Sequence, residues 1–118
     1  MRMRTRTLLP LVAILLASVL AHAHHGWSGY DEKDPRTLTG VVVESSWGNP
    51  HGTLKLQAGD STWTVILAPV KRMKDRGLAP EMIAKGAKVT VMGYPHKEHP
   101  GELRAERITI ADRTTELR

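Results

Sequence analysis

The stretch TLKLQAGDSTWTVIL, residues 53–67, decides the fold. Leu54 and Leu56 stand two apart in TLKLQ. In STWTVIL, Trp63, Val65 and Leu67 repeat that spacing while Thr62, Thr64 and Ile66 take the other side. A period of two is the mark of a strand with one buried face, because successive side chains of a strand point to opposite sides of the sheet. Between the two runs, AGD at 58–60 carries the glycine that a tight hairpin turn requires. The spacing therefore predicts a β-hairpin.

Working outward, TLTGVVVESSW (37–47) brings Leu38, Val41, Val42 and Val43 around a glycine, which predicts a strand bent at Gly40. Downstream, APVKRMKDRG (68–77) loses the alternation and ends on Gly77, and Pro80 opens LAPEMIAKG (78–86), which ends on Gly86. Proline at a helix start and glycine past its end predict short helical turns here. Two further strands follow. KVTVMGY (88–94) holds Val89 and Val91 in phase, whereas in ELRAERITI (102–110) Leu103 and Ala105 are out of phase with Ile108 and Ile110. A bulge near Glu106 would restore the register. Three strands, a short helix and two more strands make an all-β chain in the order of an OB-fold, a five-stranded Greek-key barrel. Another small barrel or an open β-sandwich with the same strand count is the alternative.

The chain opens with Arg2, Arg4 and Arg6, followed by a run from Leu8 to Ala21 without a charge, the layout of a secretory signal and short for a membrane span. Ala21 and Ala23 mark cleavage after Ala23; a cut after Ala21 is the alternative. The expected organisation is a signal peptide (1–23), an N-terminal arm (24–36), the barrel (37–112) and a C-terminal tail (113–118). About 95 residues then remain, enough for one core. The expected location is periplasmic, with no membrane attachment after cleavage. There is no cysteine, so no disulfide can staple the fold and no lipid can be carried on an N-terminal cysteine. Three of the seventeen basic residues lie in the signal; the rest face twelve acidic ones, a balance of about +2 that argues against a nucleic-acid partner.

HHGW at 24–27, WGNPH at 47–51, LAP with RM and RG at 67–77, GYP at 93–95 and ELRAERI at 102–108 resemble a family of small secreted bacterial proteins catalogued as domain of unknown function 6152. The resemblance covers essentially the whole mature chain. Relatives commonly continue LAP with a second proline and a serine, where this chain has Val70 and Lys71. GLAPEMIAKGAKVTVMGYP (77–95) is also similar in pattern to exported OB-fold proteins in which a short helix leads into the fourth strand. What the resemblance implies is secretion and an OB-like barrel. It lends no catalytic residues.

Chemistry rests on the histidines. Cleavage after Ala23 frees an α-amine on His24, which chelates a metal together with its own ring, and His25 adds a third nitrogen. Cleavage after Ala21 instead puts His24 third, behind His22 and Ala23, a spacing that suits square-planar Cu(II) or Ni(II). His51 lies in the loop after the first strand, and His96 and His99 lie in PHKEHPGE before the last; in an OB-fold these loops flank one face. The expected metal set is therefore His24, His25, His51, His96 and His99, with Cu(II) preferred and Glu98 and Glu102 as oxygen donors or acceptors. The plainer reading makes these histidines a solvated arm and turn-shaping loop residues.

Trp27, Trp47, Asn49 and Tyr94 are the candidate ligand or partner face, and a metal-independent module docking on an envelope protein is the alternative function. Lys71, Arg72, Lys74 and Arg76 could receive an anion or form a solvated helix face. No nucleophile elbow surrounds Ser28, Ser45, Ser46 or Ser61, and no Gly-rich phosphate loop or paired carboxylates are present, so no enzyme is expected. Oligomeric state is not legible in the sequence.

Overall fold

The hairpin at 53–67 is the seed of a barrel. In a computed structural model, which describes residues 26–118, β2 (Thr53–Ala58) and β3 (Ser61–Ile66) pair antiparallel from Thr53 opposite Ile66 to Ala58 opposite Ser61. Gly59 supplies the positive φ (59°) that a two-residue hairpin turn asks of its first central position. Leu54, Leu56 and Val65 are buried, as the alternation predicts.

β1 (Arg36–Ser46) serves two partners. Its first half pairs with β4 (Lys88–Pro95), and its second half pairs with β2. The change-over falls at Val41, and at the preceding Gly40 a Cβ would overlap the carbonyl oxygen of Gln57, so only glycine lets the crossing backbone come this close. Val43 is an extra residue between the pairs Val42–Leu56 and Glu44–Lys55. This bulge turns Val42 into the core and leaves Val41 and Val43 outside.

β4 pairs with β5 (Glu102–Ile110), and the register shifts between Met92 opposite Arg107 and Gly93 opposite Ala105. The unmatched residue is Glu106, as the sequence predicts. With that one residue inserted, Leu103, Ala105 and Ile108 all face inward and all are buried. A parallel pairing of β3 with β5, Thr64 opposite Glu102 to Ile66 opposite Arg104, closes the strand order β3-β2-β1-β4-β5 into a barrel. A short helix, α1 (Val70–Asp75), and a 3-10 turn (Pro80–Ile83) join β3 to β4 and plug one end with Met73, Leu78 and Ile83. The fold is an OB-like barrel.

One expectation is corrected. Residues 113–118, read as a tail, contain a sixth strand, β6 (Arg113–Glu116), antiparallel to the end of β5. The turn before it uses positive φ at Ala111 (47°) and Asp112 (66°) without a glycine, so the usual hairpin signal is missing. Leu117 is 1% exposed and belongs to the core. Its N–H donates to the carbonyl of Glu106, the bulge residue. Arg72 of α1 and Arg76 just after it donate to the carbonyls of Leu117, Glu116 and Arg118, while Lys71 pairs with Asp75 at 2.7 Å. Two of the four basic residues thus tie down the C-terminal strand.

Leu117→Ala should cost about 2–5 kcal/mol in denaturant unfolding, as for a core leucine. A change below about 0.5 kcal/mol, the ordinary surface range, would return residues 113–118 to the status of a tail.

Candidate metal centre

The loop between β4 and β5 is built by its own histidine. His96 follows directly on β4, and its Nδ1 accepts the backbone N–H groups of Glu98 (3.0 Å) and His99 (3.1 Å). A nitrogen that accepts carries no proton, so the neutral ring keeps its hydrogen on Nε2. The loop closes where the N–H of His96 meets the carbonyl of Glu102 at 2.9 Å, with Gly101 at positive φ (79°) just before β5. The His99 ring lies flat on the His96 ring, centroids 3.9 Å apart and planes 11° from parallel.

Glu102, the first residue of β5, is the centre of the cluster. Its Oε2 accepts the Tyr30 hydroxyl at 2.7 Å and stands 3.9 Å from His96 Nε2, while Oε1 stands 3.7 Å from His99 Nδ1. One ligand atom each from His96, His99 and Glu102 can be chosen so that all lie within 4.8 Å of one another. Two imidazoles and a carboxylate at that separation are a donor set for a divalent transition metal. Burial, and then the bond to Glu102, push the Tyr30 hydroxyl far above the usual phenol range, so it stays a donor.

The arm forms the opposite wall. Tyr30 bridges to His96 through the backbone and sets its ring edge-on to the imidazole at 5.0 Å. The N–H of Asp31 donates to the carbonyl of Pro95, the N–H of Lys97 to Gly29, and Lys97 Nζ to Ser28. Arg104, two residues beyond Glu102 on the same face of β5, donates from a terminal nitrogen to the carbonyl of Gly26. Its guanidinium stacks on Trp27 at 4.4 Å, and Arg118 stacks on the same indole at 4.3 Å. Burial pulls the Arg104 pKa down, helped by the charges of Arg118 and Arg72. Between arm, loop and β5 lies an open groove of about 570 Å³, to which His51 and Ile66 contribute from the other side. Burial, then the charge of Arg104, hold the His51 imidazole below its ordinary pKa.

The structure therefore brings His51, His96 and His99 to one groove, with His51 on the wall and outside the three-donor cluster. His24 and His25 lie outside the described residues. Glu98 lines the groove and caps the His96 ring through its backbone, but it is not one of the clustered donors. The proposed face of Trp27, Trp47, Asn49 and Tyr94 does not line this groove. Trp27 carries the two guanidinium groups and Trp47 packs partly against the core. Asn49 is exposed, and Tyr94 is buried with its hydroxyl on Glu106 at 2.9 Å. Tyr30 and Arg104 were not singled out from the sequence. The signal for Arg104 was its two-residue spacing from Glu102 on the polar face of a strand; Tyr30 in its charged arm gave none.

The chain belongs to a family of unknown function (DUF6152), whose profile matches residues 12–103. That span contains His51, His96, His99 and Glu102. No match is found among curated proteins.

In an NMR titration His51 should protonate at a midpoint below the usual value of about 6.5. Arg104→Gln should move that midpoint upward. A His51 midpoint at or above the usual value would contradict the partly desolvated setting described for its ring.

Proposed function

We propose that the protein is an exported binding protein that holds a transition-metal ion, copper(II) first, in the groove between the arm and the β4–β5 loop. The observation that carries this is the convergence of His96, His99 and Glu102 to within 4.8 Å. Nitrogen-rich sets with an oxygen donor favour copper at the top of the divalent order, and a chain without cysteine has no thiolate to divert the ion. His99 and Glu102 offer lone pairs as they stand. His96 gives Nε2 when its ring proton moves to Nδ1, at the expense of the two N–H contacts that Nδ1 accepts from Glu98 and His99.

The arm supports the same reading. Gly26, whose carbonyl is bound by Arg104, lines the groove, and His25 and His24 are the residues joined to it. If export cleavage follows Ala23, the exported chain begins with a terminal amine and two imidazoles immediately before Gly26. Arg2, Arg4 and Arg6 ahead of the uncharged run from Leu8 to Ala21 support export to the periplasm.

A metal-independent envelope docking module is the second reading. What favours it is that His96 already has a structural use in shaping its turn. Retention of a partner from chelator-treated cells would support it over the metal reading.

Copper(II) added to the exported protein, its N-terminus fixed by intact mass, should give a stoichiometric nitrogen-rich electron paramagnetic resonance signal. His99→Ala and Glu102→Gln should each weaken binding at least about tenfold, since loss even of an outer partner of a metal ligand costs that much. Altering His24 or blocking its amine should also weaken binding, and altering His22 should not. A loosely bound copper signal in the unaltered protein would overturn the reading.

A further inference from the structure

We infer that the groove takes its metal ion together with a small carboxylate, as a ternary complex in which Arg104 and Lys97 receive the anion. The inference rests on the metal reading above and names the second half of the ligand.

The first observation is an unanswered charge. Arg104 is half-buried and, among the described residues, no carboxylate lies within ion-pair distance of it. Its Nε is buried without a hydrogen-bond partner among the described residues, and one of its two terminal nitrogens is spent on a carbonyl, that of Gly26. Lys97 is exposed at the rim of the groove, with Nζ on the carbonyl of Ser28 and no acidic partner among the described residues, and only Arg104 is partly withdrawn from water. A cation removed from water without an anion is costly, and a buried unpartnered nitrogen calls for a group that would answer it.

The second observation is the charge balance of the groove. Lys97 and Arg104 face Glu98 and Glu102, so the empty groove is neutral in its fixed charges. A divalent ion on Glu102, His96 and His99 would raise that to +2, and the loaded groove would attract an anion that the empty one does not. The third is size. About 570 Å³ is far more than one ion needs and falls within the usual range of small-molecule sites, about 300–1,000 Å³.

The chemistry selects a carboxylate. One carboxylate oxygen can accept a charge-assisted hydrogen bond from the remaining terminal nitrogen of Arg104, and another can reach an open position on the metal. The short carbon chain of a small dicarboxylate would lie against Ile66 and Gly29, the least polar part of the lining. Binding of metal and anion must then be coupled reciprocally.

The test is calorimetry and electron paramagnetic resonance on the full exported protein, first with copper(II) alone and then with malonate. Malonate should bind the copper-loaded protein at least about tenfold more tightly than the metal-free protein, with copper kept on the protein and its spectrum altered. Lys97→Gln, an exposed loop change, and Arg104→Lys should each weaken malonate binding about tenfold, as loss of a charged hydrogen bond does. Arg104 also holds the arm, so Lys97→Gln decides the matter if the arginine variant is poorly folded. Equal malonate affinity with and without copper would overturn the inference, as would a spectrum of free copper malonate, or inorganic phosphate binding as tightly as malonate. Failure of the first copper titration would instead overturn the metal reading itself, before malonate is added.

Discussion

One extra residue in β5 fixes the phase of everything around it. Without Glu106 as a bulge, a strict period of two could bury Leu103 and Ala105 or bury Ile108, but not both sets. With it, the barrel gains a continuous apolar lining on β5, and the residues between, Glu102 and Arg104, are held on the outer face next to each other. The bulge also leaves a carbonyl outside the regular ladder, and the N–H of Leu117 takes it. The Glu106 carboxylate meanwhile accepts the Tyr94 hydroxyl and stands 3.5 Å from Arg118. Core, sixth strand and candidate site all depend on this single irregularity.

Close backbone approach is the second constraint, and it explains the glycines that matter. At Gly93 a Cβ would collide with the carbonyl of Arg104, immediately opposite the bulge. At Gly40, just before β1 passes from one partner to the other, the collision would be with Gln57. These two contacts let a sheet of short strands curl far enough for β3 to reach β5.

The charged residues divide between holding the chain ends and shaping the groove. Arg72 and Arg76 answer carbonyls at the end of the chain, and Arg118 reaches Glu32 of the arm at 2.6 Å. Trp27 lies between Arg104 and Arg118, each cation–π contact contributing about 0.5–2 kcal/mol according to its desolvation. The arm is thereby seated beside the β4–β5 loop. Tyr30, Arg104 and Lys97 line the groove together with the imidazoles and Glu102.

The hairpin, the two helical turns and the bulge at Glu106 were legible in the sequence, because each is written in local periodicity or in a turn or cap residue; Gly40 was singled out too, but the irregularity of β1 lies at Val43. The histidines of the two loops were legible as candidates for the same reason that barrel topology brings those loops together. What the sequence could not give was β6, whose turn lacks glycine and whose pairing is seen only once β5 is in place. Nor could it give the seating of Trp27, the tyrosine on Glu102, or the half-buried arginine that has no acidic partner among the described residues. Those depend on which outward-facing side chains of distant segments meet. Local pattern determines which face a residue takes, whereas closure of the barrel decides what stands opposite it.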